Sequence, residues 1–381
     1  MEGVFQMKKK VFAIVLCMIM VMITGCGKSD MMVLTPNGDA VIQSDGTSQN
    51  TASESKSDDT KQEEAKEEKK EEKKEETKSD SSSSGKIHVG FAQVGSESGW
   101  RLAQTQSMKE TFTEANGYQL DFVDCNNDQK TQIDALSKFV QDKVDYIILD
   151  PIVEDGYDDV LKEAKNANIP VIVVDRNISA DASLYTCWIG SDFEKEGEQA
   201  GKWLEKYLKE QKKDSEDINI LTILGSDGAS AAIGRTDGFE AIAKKHDNWK
   251  LLDKKTGDFT KDGGNAVMKT FLKKYDDIDV LVCQNDDEAF GAVEAIKEAG
   301  KTCGPDGDIT VISFDATGDG FKAMIAGDIN VDVECNPLEG SLVGETIQKL
   351  NAGEKVDAIQ YTKEEVFPAE KAEEILPSRA Y

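Results

Sequence analysis

Polar residues of the kinds that hold hydroxyl groups recur along this chain, each directly after a short apolar run. Val94 is followed by Gly95-Ser96-Glu97-Ser98-Gly99-Trp100-Arg101, Val123 by Asp124-Cys125-Asn126-Asn127-Asp128, Leu149 by Asp150-Pro151 and Val174 by Asp175-Arg176. Further on, Leu224 leads into Gly225-Ser226-Asp227, Cys283 into Gln284-Asn285-Asp286 and Phe314 into Asp315. A hydroxyl both donates and accepts, so carboxylates, amides and guanidinium groups set side by side pair with the neighbouring hydroxyls of a polyol. Arginine adds a fixed fork of donors, and an indole such as Trp100 offers an apolar face for C–H groups. Taken singly, an Asp at a strand end reads as a helix N-cap, and Asp158 and Asp286 fit that role.

Other chemistries leave weaker traces. Two carboxylates such as Glu97 and Asp315 could serve a glycosidase as acid and base. The two histidines, His88 in an apolar run and His246 among charges, suit no catalytic triad. Asp124, Asn126 and Asp128 alternate like calcium ligands, but Gln129 stands where such a loop needs Gly and Ala135 where it needs Glu. Of seven cysteines, Cys125, Cys187, Cys283, Cys303 and Cys335 lie in the main body, with no CxxC spacing. No metal site or cofactor is expected, and no enzymatic activity.

The polar groups need a frame, and the pattern supplies one. Apolar, β-rich runs at 87–94, 119–123, 146–149 and 170–174 alternate with helical periodicity at 102–115, 133–140 and 158–167. The alternation restarts with strands at 219–224, 251–255, 280–283 and 310–314 and helices such as 234–245 and 288–299. Two parallel-sheet α/β units follow one another. Ligands bind at the carboxyl edge of such sheets, so two facing edges would form a polar cleft.

Before this body the composition is different. Lys8, Lys9 and Lys10 precede an apolar run at 11–23 and then Thr24-Gly25-Cys26, the layout of a secretion leader. Ile23-Thr24-Gly25-Cys26 resembles the bacterial lipoprotein box, which implies a diacylglyceryl group on Cys26 and a stable two-chain membrane anchor. Residues 27–85 are Ser, Thr, Asp, Lys and Glu with little to bury, and read as a disordered charged linker with a reach of roughly 40 Å. Net charge is −28, most of it after Lys86, which excludes a nucleic-acid partner for want of a basic stripe.

The segment Gly90-Phe91-Ala92-Gln93-Val94-Gly95-Ser96-Glu97-Ser98-Gly99-Trp100-Arg101 closely resembles the galactofuranose-binding branch of the type 1 periplasmic binding proteins. Further matching blocks are Asp175-Arg176, Gly228-Ala229-Ser230 with Arg235, Gly257-Asp258-Phe259, Asn285-Asp286-Asp287, Asp315 and Val333-Glu334. The resemblance implies two lobes joined by three hinge crossings, placed near 190–192, 334–337 and 364–367. The organisation is then a signal peptide at 1–26, the linker at 27–85, an N-terminal lobe at 86–191 plus 335–364, and a C-terminal lobe at 192–334 plus 365–381. It also implies that Glu97, Trp100, Arg101, Asp175 and Arg176 face a sugar from one lobe. Arg235, Asn285 and Asp315 face it from the other, with Glu334 at the hinge. Arg235 and Asp315 are expected to serve the ligand alone, so that truncating either leaves the ligand-free fold as stable as before. The implied partners are the permease and ATPase of an ABC importer, at the outer face of a Gram-positive cell membrane. The same fold also serves as a co-receptor for sensor kinases or chemoreceptors.

Overall fold

Sheets buried on both faces show themselves as unbroken apolar runs, and the chain has several. β5 (Tyr146–Leu149), β6 (Val171–Val174) and β10 (Val280–Cys283) are buried at every position. The computed structural model describes residues 31–34, 40–43 and 85–381. The leader, Cys26 and most of the linker lie outside the described residues.

Within the stretch read as linker, β1 (Met31–Leu34) and β2 (Ala40–Gln43) pair antiparallel, Met31 opposite Gln43. Both lie inside the stretch 27–85 that the composition marks as a disordered charged linker. The two runs are the apolar exceptions in that stretch, and Pro36-Asn37-Gly38 between them has turn chemistry. They belong to a different unit from Asp80–Tyr381.

The larger unit holds two six-stranded sheets. The first has the order β13-β7-β6-β5-β3-β4, with β3 (Ile87–Gln93), β4 (Tyr118–Asp124), β7 (Cys187–Gly190) and β13 (Ile359–Tyr361), all parallel. Helices α2 (Gln129–Asp142) and α3 (Asp158–Asn166) cover one face, and α1 (Gly99–Thr111) and α9 (Gly340–Asn351) the other. The second sheet runs β14-β12-β11-β10-β8-β9, with β8 (Ile218–Leu224), β9 (Trp249–Thr256), β11 (Thr310–Asp315) and β12 (Val331–Glu334). β14 (Val366–Pro368) is its one antiparallel member. Here α4 (Phe193–Glu210) and α5 (Ser230–Ala243) pack on one face. On the other lie α6 (Lys261–Lys274), α7 (Asp286–Glu298), α8 (Gly318–Ile325) and the short α10 (Ala372–Ile375). The chain passes between the sheets after β7, after β12 and after β13. Both sheets change winding direction beside their first strand, at β3/β5 and β8/β10, and such switch points open a crevice at the carboxyl ends.

The N-caps differ from the sequence reading. Asn285 caps α7, accepting from Glu288 N at 2.8 Å, and Asp286 is the first helical residue. α3 begins at Asp158 after Tyr157, with no side-chain cap.

Asp286 instead turns into the core beside Asp332, and both are fully buried. Asp286 accepts from Ser313 Oγ at 2.7 Å, Thr317 N at 2.9 Å and Thr317 Oγ1 at 2.6 Å. Asp332 Oδ1 accepts from Ala316 N at 2.9 Å, while its Oδ2 has no donor. A proton on one of the two neighbouring carboxyls would relieve the unpaired Asp332 Oδ2. Burial, and for Asp332 the Asp286 charge, push the pair above the usual carboxylate range. The native state therefore holds a proton that the unfolded chain gives up near pH 4, so this contribution to stability is present below that pH and is lost as pH rises through the native pKa values. Asp332→Asn supplies a permanent N–H donor. In urea unfolding the variant's stability relative to wild type is expected to improve by about 1–3 kcal/mol between pH 4 and pH 8. A difference that does not vary with pH would contradict that proton.

Candidate ligand site between the two lobes

Ser98 starts the first lobe's contribution. Its side chain accepts from Arg101 N at 3.1 Å and caps α1, so Trp100 and Arg101 sit on the first helical turn. Arg101 is 3% exposed and surrounded by acids. Its Nε donates to Glu97 Oε1 at 3.1 Å, and its Nη1 lies 2.6 Å from Asp150 Oδ2 and 2.8 Å from Asp175 Oδ2. Burial opposes the charge on Glu97, yet Arg101 and Arg176 beside it hold the carboxyl below its usual range. Asp150, sealed behind Arg101, is pushed well above that range by burial. Arg176 donates to the Ile152 carbonyl at 3.0 Å and lies 5.2 Å from the centroid of Phe259, a residue of the other lobe. Asp175 has φ 54°, a left-handed backbone that Asp tolerates better than most residues.

The second lobe repeats the device. Arg235 Nε donates to Glu196 Oε2 at 2.7 Å, Nη1 to the Gln284 carbonyl, and Nη2 lies 3.5 Å from Asp315 Oδ1. The Phe314 ring lies 4.9 Å from the guanidinium. Glu196 reaches Arg235 because α4 and α5 cross with almost no space between them. A Cβ added at Gly197 would stand 2.2 Å from the Arg235 carbonyl, and one at Gly238 1.9 Å from the Glu194 carbonyl. Asp315 has φ 108°, a strained conformation for a non-glycine residue and of the kind found at ligand clamps. Burial pushes its carboxyl well above the usual range despite Arg235. Asn285 spends its amide on the Phe259 carbonyl at 3.1 Å.

The two carboxyl edges face each other across a narrow cavity of about 30 Å³. Bonds across the cleft hold the lobes together: Gly99 N to Asp287 Oδ2 at 3.0 Å, Glu154 N to the Gly228 carbonyl at 3.1 Å, and Asn177 N to Ser230 Oγ at 2.7 Å. The first puts a carboxylate of one lobe on the helix N-terminus of the other, where the dipole favours it. Trp100 Nε1 donates to the Cys335 carbonyl at 2.6 Å, which fixes the indole against the hinge. Three guanidinium groups, three carboxyls and two aromatic faces converge here, the chemistry that pairs with the hydroxyls and C–H faces of a small polyol.

Glu97, Trp100, Arg101, Asp175, Arg176, Arg235, Asn285 and Asp315 all line this cavity. Glu334 does not. Its Oε1 is held by Arg379 Nη1 at 2.7 Å and Tyr381 OH at 2.9 Å, and its Oε2 accepts from Glu365 N at 3.0 Å, so the C-terminal residues take it up. Phe259, Ser98, Ala231 and Cys335 line the cavity without having been singled out. Phe259 lay in a matching block, and its glycine-flanked position was the available signal. Asp150 and Glu196, which aim Arg101 and Arg235, left no local signal beyond the strand-end position of Asp150.

Comparison with known proteins agrees with this geometry. Residues 89–342 match the periplasmic binding protein domain family. The galactofuranose-binding protein YtfQ of Escherichia coli is 37% identical over 298 residues, 77% of this chain and 91% of that protein. A Mycobacterium smegmatis crystal structure in complex with β-D-fucofuranose aligns with TM-score 0.73 and 43% identity, over 76% of this chain and 94% of that one. The periplasmic binding component of the arabinose ABC transporter of Shewanella sp. ANA-3, bound to α- and β-L-arabinofuranose, gives TM-score 0.72 and 39% identity over 77% and 95%. Two parallel-dominated lobes, their carboxyl edges face to face and joined by three passages of chain, make the type 1 periplasmic binding protein fold, and this chain belongs to the periplasmic binding protein domain family.

Proposed function

We propose that the chain is the extracytoplasmic receptor of an ABC-type sugar importer and that its ligand is a galactose-type sugar in the furanose form. The observation that carries the reading is the cleft between the lobes, where fixed guanidinium and carboxyl groups of both lobes converge beside Trp100 and Phe259. The named ligands of the similar proteins support the ring form. Galactofuranose, β-D-fucofuranose and L-arabinofuranose share one arabino-configured five-membered ring and differ in the arm attached to it. The ring is then what the carboxyls and guanidinium groups grip, and the arm is what the cavity tolerates. Calorimetric titration with galactose, arabinose, fucose, glucose and ribose tests this. Binding of the first three and none of the last two is expected, whereas glucose or ribose binding more tightly than galactose would remove the sugar assignment.

The receptor delivers its sugar to a permease and ATPase and performs no chemistry on it. Release of the aryl group from an aryl galactofuranoside would contradict that. The lipoprotein-like Ile23-Thr24-Gly25-Cys26 supports an anchor on the outer face of the membrane of a Gram-positive cell, with the charged linker as tether. Cys26→Ala is expected to abolish metabolic labelling by a fatty acid and leave sugar affinity unchanged. Labelling that persists in the variant would remove the anchor.

A further inference from the structure

The three passages between the lobes bring together side chains that the sequence shows only far apart. Glu196 on the first turn of α4, Cys335 on the second passage and Glu364 on the third place a carboxylate oxygen, a thiol and another carboxylate oxygen within 4.8 Å of one another. Glu196 is 1% exposed; its Oε2 is taken by Arg235, and its Oε1 is buried with no hydrogen-bond partner. Glu364 Oε1 accepts from Thr362 Oγ1 at 2.8 Å, from Asn336 N at 3.2 Å and from Ser191 Oγ, so groups of all three passages fix that carboxylate. Cys335 is 2% exposed, with its Sγ 3.3 Å from Ser191 Oγ. A second cavity of about 80 Å³, lined by Asp192, Glu196, Tyr361, Thr362 and Glu364, reaches the two carboxylates of the cluster from outside the ligand cavity, which Cys335 lines.

A buried carboxylate oxygen without a donor is costly unless a cation or proton meets it. Arg235 alone does not balance two carboxylates. Arg235 is also shared with Asp315 at 3.5 Å, so a divalent cation supplies positive charge that the guanidinium alone does not bring to Glu196 and Glu364. Sulfur beside oxygen selects against the hard cations calcium and magnesium and suits zinc. Zinc bonds of about 2.0–2.3 Å put tetrahedral ligand atoms about 3.5 Å apart, so the three side chains close by about an ångström around the ion, with water in the fourth position.

We propose that Glu196, Cys335 and Glu364 form a zinc site at the hinge, loaded through this second cavity, with the thiol giving up its proton on binding. A metal there joins all three passages of chain between the lobes.

The test is a titration of the full-length protein with Co2+ as a spectroscopic substitute, followed by displacement with Zn2+. A thiolate-to-cobalt charge-transfer band that saturates at one metal per chain and is abolished by Zn2+ is expected. The band is absent in Cys335→Ser. In Glu364→Gln, which keeps every cysteine and the Arg235 partner, Zn2+ affinity by calorimetry falls at least tenfold. Absence of the band in the wild-type protein overturns the site whatever the variants do. A band that survives in Cys335→Ser also overturns it, because another cysteine then holds the metal. Thermal melts of both variants without metal are expected to match wild type. If Glu364→Gln melts early, Glu364→Asp replaces it in the calorimetry, and unchanged zinc affinity in a folded variant overturns the proposal.

Discussion

Arg235→Ala is expected to weaken sugar binding by one to two orders of magnitude and also to lower the melting temperature of the ligand-free protein by on the order of 10 °C. The first effect follows from losing a charged hydrogen bond to the ligand, worth about 1.5–3 kcal/mol. The second departs from the sequence-based expectation that Arg235 serves the ligand alone. In the structure the guanidinium is 3% exposed and committed to Glu196, the Gln284 carbonyl and Asp315. Removing one partner of a buried pair strands the other, at a cost of about 3–5 kcal/mol, and a kilocalorie moves the midpoint of a domain this size by about 2–4 °C. Arg235→Lys keeps the charge but cannot serve three acceptors from a planar fork, so it falls between wild type and Ala on both measures. Thermal melts with and without sugar separate the effects. An Ala variant with an unchanged ligand-free melt would show that the Glu196 pair contributes nothing.

Gly238→Leu is expected to destabilise the second lobe by about 3 kcal/mol or more, and Gly238→Ala by about 1–3 kcal/mol. The first added carbon already falls 1.9 Å from the Glu194 carbonyl and 2.7 Å from Glu198 N, both backbone atoms that no rotamer change removes. The helices have to part, and Glu196 moves away from Arg235 as they do. Loss of stability in urea is therefore accompanied by loss of sugar affinity, although Gly238 touches no ligand. A Gly238→Leu protein with wild-type stability would mean that α4 and α5 are not in contact.

What the sequence made legible were features written locally. Runs such as Tyr146–Leu149 and Val280–Cys283 declare buried parallel strands, and the polar residue after each run declares the edge where ligands collect. Of the eight cavity-lining residues that the family resemblance implied, seven also follow such runs, while Arg235, inside α5, rested on the resemblance alone. The three-residue strands β13 and β14 carry no pattern of their own and take their register from β7 and β12. Partnerships between distant segments were equally invisible. Glu334 ends its strand as Asp315 does, beside which it is paired in register, yet Arg379 and Tyr381 claim its carboxylate. Glu196 looks like a surface helix charge until the close approach at Gly197 and Gly238 places it against Arg235. Asp286 looks like a cap, and its role beside a second buried carboxyl depends on Asp332, which lies in β12 and not on its own helix. The β1–β2 hairpin was hidden by the charged composition surrounding two short apolar runs.

Galactose in water equilibrates among pyranose and furanose rings, and a receptor built around one ring form removes that form first. The most direct measurement is a carbon NMR titration of 13C1-labelled galactose at mutarotational equilibrium with increasing protein, recorded faster than the rings interconvert. Selective loss of the furanose anomeric signals, up to one sugar per chain, is the expected result. Loss of the pyranose signals while the furanose signals stay sharp, or no loss of either, would contradict a furanose-binding receptor.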